Sequence, residues 1–98
     1  MERKEYEVKE NKEYVGVDVS KETLDMVVHF TGEIRSFTND EAGIAIAVAW
    51  LKKVKPEITA MEATGGLEIP LTVAIQEAKL PFAVINPRQI RDLSLIHI

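Results

Sequence analysis

The sequence predicts an α/β fold in which a mixed sheet begins as an antiparallel meander, continues with parallel crossover strands and carries helices on both faces. Three observations favour this fold. Apolar residues alternate with other residues from Tyr14 onward, as in a half-buried strand. Short connections link the first three β-rich runs, which is typical of antiparallel neighbours. Stretches with helical spacing then alternate with further β-rich runs, the pattern of crossovers between parallel strands.

Length and composition describe one small folded domain. The chain has 98 residues, of which 46% are hydrophobic and 29% charged, enough for a single core. No apolar run reaches the length of a membrane span, about 18 residues, and the opening MERKEYEVKENKE lacks the apolar core of a signal peptide. The chain contains no cysteine, which fits a reducing compartment. We therefore expect a cytoplasmic protein without membrane contact.

The first half of the chain predicts a charged arm followed by three strands. Residues 1–13 are mostly charged, as in a flexible N-terminal arm. The domain begins near Tyr14 with valines at alternate positions. Residues 24–30 form a second β-rich run, the Thr-Gly-Glu of residues 31–33 indicates a tight turn, and IRSF at 34–37 predicts a third strand.

A helix follows the meander. Asn39 or Asp40 is its candidate N-cap, and Pro56 ends it. Its predicted core face consists of Ile44, Ala47, Val48 and Leu51. Ile46 and Trp50 lie off that stripe, so we expect the helix to be covered on a second side as well.

The second half alternates strands and helices. Residues 57–63 predict a fourth strand and 80–86 a fifth. Between them, a helix with Pro70 in its first turn is predicted by the spacing of Leu67, Leu71, Ala74, Ile75 and Ala78. Asn86 and Pro87 predict the start of a third helix, as cap and first helical residue.

Two carboxylates stand where these strands end. Asp18 and Glu62 fall at the carboxyl ends of the first and fourth strands, the side of an α/β sheet where ligands bind. If those strands are neighbours, the two residues lie about one strand spacing, roughly 5 Å, apart. Mg²⁺ favours such oxygen ligands. The alternative is a turn-forming Asp and a solvated Glu, and spacing by itself leaves both open.

Three blocks of sequence carry a resemblance to a known family. VGVDVSKETLD, MEATGGLEIPL and AVINPRQIRD, in this order, resemble the N-terminal domain of the DEDD transposases, the family of insertion-sequence transposases and Piv-type DNA invertases. That domain is RuvC-like, with a ribonuclease H-like fold, and the resemblance covers residues 14–92. It implies Mg²⁺-dependent cleavage and transfer of DNA strands, with Asp18 and Glu62 as catalytic metal ligands. It also implies a homo-oligomer in the full-length protein and, in some members, a structured guide RNA.

The chain also departs from the family pattern. The two later aspartates of the family lie in a K-T-D-x-x-D motif that follows the R-Q-x-R-D block, and Asp25, Asp40 and Asp92 stand in no such motif. We therefore expect an N-terminal fragment that is inactive alone and binds Mg²⁺ weakly or not at all. The closing LSLIHI, residues 93–98, has two interpretations, translated sequencing-adapter DNA or a genuine apolar helix end.

Three basic residues are candidates for contact with nucleic acid. Arg88 and Arg91 fall in the first turns of the third predicted helix, where guanidinium groups and free amides favour a phosphate. Lys21 follows Asp18 and is a candidate for contact with a phosphate as well. The alternative for all three is an ordinary solvated surface charge.

Other functions stay open. The net charge of −4 argues against a stand-alone nucleic-acid binder. A nucleotide-binding fragment of the actin-like or sugar-kinase type would share the core and the early Asp18, although Val19 stands where phosphates favour Gly. A non-catalytic interaction module would use the apolar flank around Ile46 and Trp50.

Overall fold

The computed structural model describes residues 13–86. In chain order, its elements are β1 (Tyr14–Val19), β2 (Thr23–Val28), β3 (Ile34–Thr38), α1 (Glu41–Val54), β4 (Ile58–Glu62), α2 (Ile69–Glu77) and β5 (Phe82–Ile85). Each predicted strand and helix in this range is present, with ends that shift by one or two residues. The arm predicted for residues 1–13, the third helix and the 93–98 tail lie outside the described residues, apart from Glu13.

The strands form a mixed sheet in the order β3-β2-β1-β4-β5. The first three strands pair antiparallel, while β1, β4 and β5 pair parallel through helical crossovers. The predicted meander with parallel crossover strands is confirmed. Since β4 lies beside β1, the strands that carry Asp18 and Glu62 are neighbours.

One face of the sheet is packed. Alternate residues of the strands point to this face, and the buried stripes of α1 and α2 join them in a single cluster. The cluster consists of Val15, Val17, Val19, Leu24, Met26, Val28, Ile44, Ala47, Val48, Leu51, Met61, Leu71 and Ile75. Both helices therefore lie on the same side of the sheet. A helix on the opposite side stays a prediction, because the segment after Asn86 is outside the described range.

Helix α1 begins and ends at residues with clear physical roles. Asp40 is the N-cap, and its Oδ1 accepts a hydrogen bond of 2.7 Å from the amide of Gly43. At the other end, Lys55 adopts a left-handed conformation with φ 53° and donates its amide to the Leu51 carbonyl. The helix thus ends just before Pro56. All four residues of the predicted core face are buried.

The flank of α1 around Ile46 and Trp50 is only partly covered. Trp50 packs against Phe37 with ring centroids 5.7 Å apart, and the Arg35 guanidinium lies 5.7 Å from the Trp50 ring. The side chain of Ile46 is 61% exposed. The prediction of a second covered side holds for Trp50 and is wrong for Ile46, because β3 reaches one part of this flank and not the other. None of the described helices is long and apolar enough to cross a membrane.

Candidate active site on the open face of the sheet

The face of the sheet opposite the two helices carries a row of polar side chains. Strand register aligns Ser36 of β3, Asp25 of β2 and Asp18 of β1. Glu62 continues the row because it follows Met61, the parallel partner of Val17, and Ile85 of β5 ends it. We call its four polar residues, Ser36, Asp25, Asp18 and Glu62, the polar row. It runs across the carboxyl ends of β1 and β4, the edge where α/β sheets bind ligands.

Asp18 and Glu62 lie beside each other in this row, as their spacing predicts. Both side chains are exposed, and both line a cleft of about 660 Å³ on the open face. The β1–β4 pairing ends one residue earlier, at Val17 and Met61. The two carboxylates thus stand at the point where the pairing of these two strands stops.

Asp25 is a third carboxylate in the row, and the sequence analysis gave it no role. Asp25 is the antiparallel partner of Asp18, is half-buried and lines the same cleft. Its Oδ1 accepts a hydrogen bond of 2.6 Å from the Ser36 hydroxyl. The meander pattern carries a signal for Asp25, because the register of a hairpin fixes which residues face each other.

Small and apolar side chains form the floor next to the polar row. The adjacent row consists of Ile34, Val27, Gly16, Ala60 and Ala83. At its centre, a Cβ added at Gly16 would meet no atom within 4 Å. The floor is therefore low above β1 and β4 and rises towards Val27 and Ile34. A flat groove of this kind admits an extended ligand to the carboxylates.

The loop after β4 is held by a buried carboxylate that sequence reasoning missed. Glu68 is 8% exposed, and its Oε1 accepts hydrogen bonds from the Thr64 amide at 2.9 Å and the Thr64 hydroxyl at 2.8 Å. A third, from the Gly66 amide, measures 3.3 Å. The donors at Thr64 hold the pKa of Glu68 below its ordinary value. Positive φ angles of 71° at Gly65 and 107° at Gly66 let the loop fold around this carboxylate.

The loop after β1 has its own fixed shape. The Thr23 amide donates to the Ser20 hydroxyl at 3.0 Å, and the Ser20 amide donates to the Thr23 carbonyl at 2.9 Å. These bonds close a tight turn between β1 and β2. Asp18 therefore precedes a rigid turn, just as Glu62 precedes the loop that Glu68 holds.

A comparison with known families decides what kind of domain carries this site. The family model of the IS110-type DEDD transposases, described as Transposase, matches residues 15–98. The chain belongs to this transposase family. The resemblance carried by the three sequence blocks is confirmed, and the mixed sheet agrees with the ribonuclease H-like fold of the family. Curated protein sequences give no match to the chain.

In this transposase domain, the predicted nucleic-acid residues divide into two groups. Lys21 lies in the turn after β1, three positions beyond Asp18, and its side chain is exposed. The structure thus brings Lys21 to the same end of the sheet as the polar row. Arg88 and Arg91 lie outside the described residues.

The carboxylate oxygens of Asp18 and Glu62 are of the kind that suits a hard cation that keeps part of its hydration shell. Among residues 13–86 no group of three or more His, Asp or Glu side chains is close enough to hold a metal ion. Mg²⁺, however, is usually bound by one or two carboxylates together with waters and substrate phosphates. The pair formed by Asp18 and Glu62 fits that coordination and does not fit a cage made of protein ligands alone.

Proposed function

We propose that this chain is the N-terminal part of a DEDD transposase that cleaves and transfers DNA strands with Mg²⁺. One observation carries the proposal: in a transposase-family domain, Asp18 and Glu62 stand side by side at the carboxyl ends of adjacent parallel strands. The cleft above them lies on the open face of the sheet. Mg²⁺ and DNA are the ligands that this arrangement of oxygens and open surface would take.

The residues of the polar row have different roles in this proposal. Asp18 and Glu62 would hold the metal, which when bound would supply positive charge to activate the attacking oxygen and stabilise the leaving oxygen of the phosphodiester. Asp25, fixed by Ser36, adds negative charge to the same place. A cation bound between carboxylates of neighbouring strands would offset the repulsion between their charges.

Contacts to the nucleic acid follow from the same geometry. Lys21 is exposed in the turn that follows Asp18 and would meet a phosphate of the bound DNA strand. Arg88 and Arg91 are proposed as further phosphate contacts, on the strength of their position after β5 in the sequence. The net charge of −4 is compatible with DNA binding when metal ions neutralise the acidic centre and further parts of the transposase contribute basic surface. Guide-RNA use and homo-oligomer formation are proposed from the family alone.

Metal titration tests the proposal. Isothermal titration of the full chain with Mn²⁺, which substitutes for Mg²⁺ at oxygen-ligand sites, should give weak binding that Asp18→Asn and Glu62→Gln each abolish. Glu77→Gln is the matched control, because Glu77 is an exposed carboxylate on α2, away from the polar row. Equal Mn²⁺ binding in all four proteins would contradict the proposed site. ATP binding in the absence of DNA would instead favour the nucleotide-binding alternative.

A further inference from the structure

The hydrogen-bonded pairing between β1 and β4 stops just before the two proposed metal ligands, Asp18 and Glu62. Hydrogen-bonded pairing between β1 and β4 ends at Val17 and Met61. Beyond that point β1 continues with β2, in the pairs Asp18 with Asp25 and Val19 with Leu24. In the same way, β4 continues with β5. Asp18 and Glu62 are therefore not paired with each other in the β1–β4 ladder.

Asn39 connects the segments that follow β1 and β4. Its side-chain Nδ2 donates to the Ser20 carbonyl at 2.9 Å and to the Leu67 carbonyl at 3.3 Å. Ser20 lies two residues after Asp18, and Leu67 lies in the loop after Glu62. A single amide group thus joins the segments that follow both metal-binding positions.

The chemistry of the bridge requires an amide and no other common side chain of this size. Both neighbours are carbonyl oxygens, so the group between them must supply two donor hydrogens, which the Asn NH₂ does. The other side-chain atom, Oδ1, is enclosed and has no hydrogen-bond partner among the described residues. The side chain therefore makes its hydrogen bonds through the bridge alone.

The backbone around Asn39 fixes the position of the bridge. The Asn39 amide donates to the Glu22 carbonyl at 2.9 Å, which ties it to the β1–β2 turn. The next residue, Asp40, caps α1 and also accepts a hydrogen bond of 2.9 Å from the Thr38 hydroxyl. Asn39 is thus held between β3 and the first turn of α1. On the β4 side, Glu68 holds the loop that contains Leu67.

From these contacts we infer that Asn39 is a positioning residue that sets the separation of the Asp18 and Glu62 carboxylates. It does so by tying together the loops that leave β1 and β4. Its effect on metal binding rests on the proposed function, whereas its effect on the distance between the loops does not. The two effects are therefore measured separately.

The first measurement is a distance. The chain contains no cysteine, so Glu22→Cys and Leu67→Cys place two spin labels at exposed positions in the two loops. Double electron–electron resonance should give one narrow distance distribution in this background. Asn39→Leu, which keeps the approximate shape of Asn and removes both donors, should give a longer and broader one. Asn39→Ser removes the bridge with less bulk and serves the same purpose if the Leu variant does not fold.

A core variant separates positioning from general loosening. Val48→Ala removes buried atoms from the core face of α1 and lies outside both loops in the sequence, and its distribution should stay narrow. An unchanged distribution in both Asn39 variants would overturn the inference. So would equal broadening in Val48→Ala.

The second measurement is Mn²⁺ affinity in the unlabelled proteins. Asn39→Leu should weaken binding about tenfold, as loss of a group that orients metal ligands does, whereas Val48→Ala should leave it unchanged. Equal affinity in wild type and both Asn39 variants would overturn the inference. If wild type shows no binding that depends on Asp18 and Glu62, the proposed function fails, and the distance measurement alone decides the role of Asn39.

Discussion

The two faces of the sheet are built from the same strands and differ in almost every other respect. In β1, Val15, Val17 and Val19 are buried under the helices, while Gly16 and Asp18 between them face a cleft. The packed face is closed by apolar contact, and the open face carries charges and small residues. Strand alternation lets one segment serve both purposes. Neighbouring residues should therefore respond to substitution in opposite ways, and the following predictions test that contrast.

The largest effect is expected for two adjacent residues of β2. Met26 is fully buried, and Val27 is 42% exposed on the open face. Met26→Ala should lower the free energy of unfolding by about 2–5 kcal/mol, because it leaves a cavity in the core. Val27→Ala should cost less than about 1 kcal/mol, within the range of strand propensities. Urea denaturation of both variants checks this, and equal costs would contradict the assignment of the two faces.

Two glycines give a second, smaller contrast. A Cβ at Gly43, in the first turn of α1, would overlap the carbonyl and hydroxyl oxygens of Thr38, whereas a Cβ at Gly16 meets nothing. Gly43→Ala should destabilise the protein by about 1–3 kcal/mol through overpacking. Gly16→Ala should leave stability nearly unchanged, because the open face has room for the methyl group.

Thermal melts followed by circular dichroism measure this second pair. The comparison is matched, since both variants add one methyl group to a glycine. Helix propensity alone would make Gly43→Ala the stabilising change. A higher melting temperature for Gly43→Ala than for wild type would therefore show that Thr38 can move aside.

The smallest effect on stability is expected when the pH is lowered. Glu68 has its pKa lowered from the ordinary value of 4.5 by the hydrogen bonds from Thr64, so the folded protein binds its proton less readily than the unfolded chain. The stability that this carboxylate contributes is fully present above about pH 4.5 and is lost as pH falls through the lowered folded value. Glu68→Gln should flatten the pH dependence of the melting temperature in that window.

Local patterns predicted most of the packed face. Alternation in β1, the spacing of the core residues in α1 and the cap at position 40 are signals carried by nearby residues, and each is present in the structure. The shared edge of Asp18 and Glu62 followed from topology, because parallel strands joined by crossovers end at the same edge, whereas the pairing of β1 with β4 was known only from the structure. Their roles as metal ligands remain a proposal.

The parts that the sequence did not predict depend on distant contacts. Asp25 acquires its place from the register of a hairpin, and the bonds of Asn39 connect it to two loops far away in the chain. Glu68 stands at the start of a helix, and no local pattern predicts that its carboxylate turns back to accept a hydrogen bond from Thr64. The hydrogen-bond partners of such residues are distant in the chain, so local sequence patterns do not predict them.

The strand order has a consequence for how the site comes into being. The β1–β2–β3 meander closes through short turns, whereas β4 reaches β1 only after the chain has passed through the meander and α1. Closing a long loop costs more entropy than closing a short one, and nonlocal pairings slow folding. We therefore expect the meander to fold first. Asp18 and Glu62 should come together late in folding, when β4 pairs with β1. On that path, a chain emerging during synthesis would carry Asp18 in a formed hairpin before Glu62 is there to join it.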